Sequence, residues 1–213
     1  LEPAAQLTAP VLATVPSFAQ LIEGGRIGPD ADGRLQPLIL GYGADGPVTG
    51  DWRMLFSTSL GGLQGSGKTW GAVFLLAQAA ASNAKLIICD PHAGDDSESL
   101  ARRVEALAPA FLCDVADDDK SIMGALKLAN DELQRRKRGS ADRTPIIVAV
   151  DEWLSLRRGA LADTLPAFVE SISTEGRKLN IHCLLLTQRA DKDAVGEFRN
   201  TLASSYVFRL RSD

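Results

Sequence analysis

The segment from Gly62 to Thr69 limits the folds open to this chain more than any other feature. It reads Gly-Leu-Gln-Gly-Ser-Gly-Lys-Thr and fits the pattern GxxxxGK[ST]. It follows an apolar stretch predicted as a strand, near residues 54–60, and opens a stretch predicted as a helix, residues 68–81. Small residues let the backbone fold around phosphates with its N–H groups inward, and a helix N-terminus adds positive potential. The sequence therefore predicts a phosphate loop between a strand and a helix.

Two side chains of the phosphate loop have specific predicted roles. Lys68 supplies charge to the β and γ phosphates of ATP, and the Thr69 hydroxyl can ligate Mg²⁺. The alternative interpretation is a glycine-rich turn with an exposed lysine, which the full match between a strand and a helix disfavours. The predicted nucleotide contacts are Gly62, Leu63, Gln64, Gly65, Ser66, Gly67, Lys68, Thr69 and Trp70.

Two carboxylates follow the continuous apolar segment at residues 146–150, which is predicted as a buried strand. They are Asp151 and Glu152. Ligands of open α/β sheets lie at the carboxyl ends of the strands, so both side chains should lie beside the phosphate loop. We predict that Asp151 holds the Mg²⁺ shell and that Glu152 polarises the attacking water. The alternative is a strand that runs out into a solvated acidic turn.

Gln188 and Arg177 are two further candidates, one after and one before the apolar segment 181–186. Gln188 can sense the γ-phosphate or orient water, or it can simply be a polar strand cap. Arg177 is either an arginine finger that reaches the nucleotide of a neighbouring subunit or a solvated cation at a helix end, favoured there by the helix dipole. Sequence pattern alone does not separate the two interpretations of Arg177.

Strand and helix patterns alternate along most of the chain. Continuous apolar strands separated by helices indicate a mainly parallel sheet with helices on both faces, so we predict an α/β fold. The predicted strands are residues 54–60, 85–89, 110–113, 146–150, 181–186 and 205–210, and the predicted helices are 68–81, 97–107, 121–138 and 165–178.

The N-terminal segment, before the alternating strands and helices, is predicted to contain one short helix and one β-hairpin. Residues 17–25 begin with a capping-box pattern and end at glycine, which indicates one short helix. Segments 37–42 and 47–52 flank the turn-rich residues 43–46, which predicts an N-terminal β-hairpin. We therefore divide the chain into a linker with a short helix, residues 1–36, and a nucleotide-binding domain, residues 37–213.

Composition narrows the class of protein. With 45% hydrophobic and 23% charged residues, the chain of 213 residues has the profile of a soluble globular domain. No apolar run approaches the roughly 20 residues of a membrane-spanning helix. The 23 Lys and Arg against 27 Asp and Glu give a charge of −4, so contact with nucleic acid would depend on local patches. We interpret the basic run at residues 135–138 as a solvated helix end.

The cysteines and the start of the sequence give information about the cellular compartment of the protein. Cys89, Cys113 and Cys183 lie in or beside apolar segments without a CxxC spacing, which is typical of reduced thiols in a cytosolic protein. The sequence begins at Leu1 without Met, so we expect it to be part of a longer protein whose other segments could include a membrane anchor.

Four segments resemble the FtsK/HerA family of DNA-pumping P-loop ATPases, over roughly residues 37–211. Residues 38–41 resemble the family's PLxLG hairpin, and 88–92 resemble its strand ending in DPH. Residues 130–136 are similar to its xxEMxRR helix, with Leu133 in place of methionine. The most specific segment, Gly176 to Arg189, resembles ARxxGIHLxLATQR.

The resemblance implies a RecA-like motor domain that forms a hexameric ring, with ATP and Mg²⁺ between subunits and double-stranded DNA in the channel. It assigns Lys68 to the phosphates, Thr69 and Asp151 to Mg²⁺, and Glu152 to catalysis. It also favours a sensor role for Gln188 and a finger acting in trans for Arg177. Two alternatives stay open: a secretion-type ATPase that moves protein, and a nucleotide-gated assembly module without productive turnover.

Overall fold

A parallel five-stranded sheet forms the centre of the structure, a computed structural model that describes residues 15–32, 35–52, 57–94, 99–188, 202 and 204–207. Every neighbouring pair of strands in this sheet is parallel. In spatial order the strands are β4 (Lys85–Cys89), β5 (Ile146–Val150), β6 (Ile181–Thr187), β3 (Ser57–Gly61) and β7 (Ser204–Val207). The predicted α/β fold with a mainly parallel sheet is confirmed.

Helices cover both faces of the sheet because its strands are apolar on both sides. In β5, Ile146, Val148 and Val150 join one hydrophobic core, whereas Ile147 and Ala149 join the other. The α-helices are α1 (Phe18–Glu23), α2 (Lys68–Ala81), α3 (Leu100–Arg103), α4 (Asp119–Lys137), α5 (Trp153–Arg157) and α6 (Thr164–Glu175). Two 3₁₀ helices, η1 (Glu105–Ala110) and η2 (Gly176–Leu179), complete the helical elements of the described residues.

The predicted N-terminal hairpin and short helix are both present. Strands β1 (Leu38–Gly43) and β2 (Gly46–Gly50) pair antiparallel, and Ser17 and Gln20 form the capping box of α1. The Gln78 side chain of α2 accepts a hydrogen bond from the Ile39 amide and donates one to the Ile39 carbonyl, both at 2.8 Å. This pair of bonds fixes the hairpin on the helix that follows the phosphate loop. The division of the chain at residue 37 stays a prediction.

The structure differs from the predicted helix 97–107 and strand 110–113, of which residues 97–98 lie outside the described part of the chain. Helix α3 has a single turn and passes into η1, which contains Pro109. Proline has no N–H for an α-helical bond, which favours the shorter 3₁₀ form here. The predicted strand 110–113 is wrong: Phe111 makes only an isolated bridge to Leu86.

The predicted helix 165–178 ends earlier, and the helix α5 before it was not predicted. A Cβ on Gly176 would lie 2.3 Å from the Ile181 carbonyl oxygen, so only glycine permits this close approach of the chain after α6. Residues 176–179 therefore continue as η2, and Asn180, at φ 55°, turns the chain into β6. Residues 54–56 and 208–210 of two predicted strands lie outside the described part of the chain.

Arg136 departs from the interpretation of residues 135–138 as a solvated helix end, because its side chain is only 1% exposed, whereas the other three residues are exposed as expected. Its guanidinium donates to the Glu132 carboxylate at 2.6 Å, to the Leu179 carbonyl at 2.6 Å and to the Thr144 carbonyl at 2.8 Å. Arg136 therefore joins α4 to the end of η2 and to the segment that leads into β5.

All three cysteines are free; Cys89 and Cys183 are buried, whereas Cys113 is half-buried. Burial raises the pKa of Cys89 and of Cys183 to about 12, so both stay protonated at neutral pH. Within the described residues, no helix combines the length and the apolar character needed to cross a bilayer.

Candidate functional site

A cleft of about 610 Å³ lies at the carboxyl ends of β3, β4, β5 and β6. Its size lies in the range of small-molecule sites, about 300–1,000 Å³. The lining residues are Leu63, Gln64, Gly65, Gly67, Lys68, Thr69, Trp70, Asp90, His92, Ser99, Arg103, Asp151, Glu152 and Gln188. The structure thus brings together most of the predicted site residues, although Arg177 is not among them.

The phosphate loop has the features of an anion cradle. Gly67 adopts φ 94° at the N-cap of α2, a conformation that side chains rarely adopt, and it offers no side chain to cap the helix. The first N–H groups of this helix therefore have no side-chain acceptor from the N-cap. The Ser66 hydroxyl is buried and has no hydrogen-bond partner among the described residues. The N–H groups at the start of α2, the Ser66 hydroxyl and the buried Lys68 together form a set of hydrogen-bond donors that suits a polyphosphate.

Asp151 is a buried carboxylate directly after β5, with the residue 8% exposed. Burial is the largest cause that raises the pKa of Asp151 from 3.8 to about 6, and the charges of Asp90 and Glu152 also contribute to this increase. The hydrogen bond from the Glu152 amide, at 2.9 Å, and the charge of Lys68 act in the opposite direction. A cation would relieve the cost of this buried charge.

The donor set fits Mg²⁺ bound together with phosphate. Mg²⁺ usually binds one or two carboxylates plus phosphate oxygens and water, and Asp151 and the Thr69 hydroxyl both line the cleft. Among the described residues, no three His, Cys, Asp or Glu side chains group into a metal site of their own.

Glu152 takes a left-handed backbone conformation, φ 49° and ψ 39°, at the N-cap of α5. Such a conformation in a non-glycine residue costs about 1–3 kcal/mol and is characteristic of functional sites. Gln188, which follows β6, donates from Nε2 toward both Glu152 carboxylate oxygens, at 3.3 and 3.4 Å. The two side chains predicted to act on water therefore contact each other in the structure.

Asp90 was not predicted as a site residue, although it follows an apolar strand just as Asp151 does. It is fully buried, and its two carboxylate oxygens accept from the amides of His92 at 2.9 Å and Ala101 at 2.8 Å. Asp90 thus links the end of β4 to the first turn of α3, and it lines the cleft. His92 is exposed and lines the cleft.

Arg103 was also missed, and no local pattern points to it. It extends from the short helix α3, and its guanidinium carbon lies 4.2 Å from the centre of the Trp70 ring. Tertiary packing alone brings these two residues together at the cleft.

Arg177 lies in η2, just before β6, whereas Gln188 lies just after it. A strand of seven residues separates the two by roughly 20 Å. Arg177 is exposed and points to no role in the cleft of its own chain.

Comparison with known proteins relates this fold to ATPase domains. A scan against protein-family models gave no match, and a search of curated proteins also gave none. Among solved structures, EssC (ATPases 2 and 3) from Geobacillus thermodenitrificans aligns with 98% of this chain, with a TM-score of 0.66 and 18% identity. EccC (ATPases 2 and 3) from Thermomonospora curvata, in complex with a signal sequence peptide, aligns with 92% at a TM-score of 0.66 and 14% identity.

A third structure is the pCW3 conjugation coupling protein TcpA with ATPγS, which aligns with 83% of this chain at a TM-score of 0.61 and 18% identity. This chain spans 40% of the EssC chain, 36% of the EccC chain and 56% of the TcpA chain. At these identities the similarity shows a shared fold, which is the α/β fold of P-loop ATPases.

We predict that Asp151→Asn stabilises the nucleotide-free protein at pH 8. Because the pKa of Asp151 is raised from 3.8 to about 6, folding favours the protonated form, and this stability is lost as pH rises through about 6. Asparagine keeps the acceptor for the Glu152 amide but carries no charge. The free energy of unfolding in urea should exceed that of the wild type by up to about 3 kcal/mol at pH 8.

Below pH 4 the wild-type carboxyl is protonated, so the gain from Asp151→Asn should vanish. Asp131→Asn, which removes an exposed carboxylate, is the control and should change stability little at either pH. A gain that is equal at both pH values would contradict the proposed cost of the buried charge.

Proposed function

We propose that this chain is the ATPase domain of a molecular motor, which binds ATP with Mg²⁺ and hydrolyses it to ADP and phosphate. The observation that carries the proposal is the convergence of Lys68, Asp151, Glu152 and Gln188 on one cleft beside the phosphate loop. Each of these residues has the chemistry that phosphoryl transfer to water requires.

In this proposal the phosphate loop and Lys68 hold the triphosphate, while Thr69 and Asp151 hold Mg²⁺. The ion, when bound, neutralises charge on the phosphate oxygens. Glu152 orients the attacking water and accepts its proton as the bond to the terminal phosphorus forms and the bond to the ADP oxygen breaks. Gln188, already hydrogen-bonded to Glu152, aligns this carboxylate and senses whether a γ-phosphate is present.

Two substitutions separate binding from chemistry. Lys68→Ala should abolish measurable ATP binding in calorimetry with Mg²⁺, because it removes the cation that neutralises the phosphates. Glu152→Gln should retain ATP but lose turnover by at least a hundredfold, since an amide cannot accept the proton. Turnover unchanged in Glu152→Gln would remove Glu152 from catalysis, and tight binding without turnover in the wild type would support the assembly-module alternative.

We further propose that the chain belongs to the FtsK/HerA group of P-loop ATPases and acts in the cytoplasm as a homo-oligomer, a hexameric ring around double-stranded DNA. The motif-like segments at residues 88–92 and 176–189 support this assignment. The principal alternative is a motor that moves polypeptide. That alternative is favoured by the similarity to EssC and to EccC, whose structure contains a signal sequence peptide.

The cargo can be identified by stimulation of turnover in the full-length, ring-forming protein. If DNA is the cargo, duplex DNA should raise ATP turnover several-fold. The DNA concentration for half-stimulation should rise at least tenfold between 50 and 200 mM salt, because phosphate contacts release counterions. Stimulation by polypeptide but not by DNA would reject the DNA assignment and support a secretion-type motor. The Glu152→Gln variant provides the background rate.

We propose that Arg177 acts in trans on the nucleotide of a neighbouring subunit. It is exposed and remote from its own cleft, while its helix η2 is anchored by the bond from Arg136 to the Leu179 carbonyl. The ion pair of Lys137 with Glu175, at 2.7 Å, adds a second anchor. A permanently charged guanidinium on a rigid support suits the stabilisation of a phosphoryl group in transfer.

Arg177→Ala should lower turnover by about 10³-fold or more and leave ATP affinity nearly unchanged. Mixed rings of Arg177→Ala and Glu152→Gln subunits should regain part of the activity, because some interfaces join an intact Glu152 to a neighbour's intact Arg177. Mixed rings that assemble but stay inactive would exclude action in trans. Lys178→Ala, the adjacent exposed cation, is the matched control and should retain turnover.

A further inference from the structure

Trp70 is an unusual surface residue, because it is a large aromatic side chain that is 60% exposed. The guanidinium of Arg103 lies over its ring at 4.2 Å from the ring centre, which is the geometry of a cation–π pair. Both residues line the same cleft as Lys68 and Thr69. An indole with a cation over one face keeps the opposite face accessible to a second flat group.

Arg103 is held on a rigid support. The amide of Ala101, two residues earlier, donates to the buried carboxylate of Asp90 at 2.8 Å. Leu100 and Val104, on either side of this turn, are fully buried in the core. The end of β4, through Asp90, therefore helps to fix the position of the Arg103 guanidinium beside the cleft. The guanidinium in turn packs against one face of the Trp70 ring.

Trp70 directly follows the two residues that open α2 at the phosphate cradle, and it lines the same cleft. Lys68 and Thr69 open the helix, and Trp70 is the next residue, in the same first turn. A nucleotide whose phosphates occupy the loop extends its sugar and base away from the loop. Trp70 is the aromatic residue that lines the described part of this cleft.

We propose that Trp70, supported by Arg103, is the platform on which the base of the nucleotide stacks. This inference rests on the proposed function and names its substrate class, the purine nucleotides. Stacking contacts the face of the base, which adenine and guanine share, and it strengthens with the area of the ring system. The site should therefore bind ADP and GDP with affinities within about threefold of each other and bind UDP and CDP about tenfold more weakly.

The tryptophans of the chain allow a direct optical test. Of the three, Trp52 is 6% exposed and Trp153 is fully buried, so quenching of emission by dissolved acrylamide reports mainly on Trp70. Saturating ADP or GDP with Mg²⁺ should lower the quenching constant at least twofold. Inorganic tripolyphosphate, which has no base, should compete for the phosphate loop in calorimetry and leave the quenching constant unchanged.

Trp70→Ala should weaken ADP binding about tenfold without changing the affinity for tripolyphosphate, and Trp70→Phe should restore most of the affinity. Arg103→Met, which keeps an apolar group near the ring but removes the charge, should weaken ADP binding about threefold. Equal protection of Trp70 by tripolyphosphate, or calorimetric binding of ADP without protection, would overturn the stacking proposal alone. Failure of both ligands to bind would overturn the proposed function together with it.

Discussion

The parallel pairing of β6 with β3 on one side and with β5 on the other is the constraint on which the cleft depends. In register, Gly61 of β3 lies opposite Thr187 of β6, and Val150 of β5 lies opposite Leu185. The Gly62 amide donates to the Thr187 carbonyl at 3.2 Å, so the phosphate loop begins where β6 ends. Because parallel strands end at the same edge, segments far apart in sequence must place their next residues together. If one of these strands slipped by one residue, each of its side chains would move to the opposite face of the sheet and so to the other hydrophobic core.

The residues that line the cleft lower the stability of the fold, because charged groups are buried there and one residue has a strained backbone. Lys68, Asp90 and Asp151 are charged groups at most 8% exposed, and Glu152 holds a left-handed backbone. The two hydrophobic cores on either side of the sheet supply the stability that tolerates these groups. Asp90 is satisfied by two backbone amides, whereas the hydrogen bond from the Glu152 amide only partly compensates the burial of Asp151. The remaining free-energy cost of burying the Asp151 carboxylate falls at the place where a cation and a polyphosphate would bind. Such a cost is expected at a site for a charged ligand.

The sequence predicted the sheet, the phosphate loop and the strand-end carboxylates because each depends on a local pattern: a continuous apolar run followed by a glycine-rich or acidic turn. The prediction failed between residues 99 and 113, where contacts with the core and Pro109 determine the backbone conformation. The burial of Arg136 was missed although a signal was available, since Ile122, Leu126, Ala129 and Leu133 lead to it at helical spacing. Arg103 had no such signal, because only the packing of α3 against the end of β4 brings it to Trp70.

Strand β6 has a particular place in the proposed motor because it lies between two candidate residues, Arg177 in η2 before it and Gln188 directly after it. All seven of its residues are buried, and it is hydrogen-bonded to strands on both sides, which opposes any change of its length or register. The Arg136 bonds tie the segment around Arg177 to the same rigid core. A local response at one edge of the sheet would therefore reach Arg177 only by movement of the whole domain. For a ring of such domains, this rigidity favours coupling between neighbouring sites through rigid-body rotation of subunits over a signal that passes through flexible loops within one subunit.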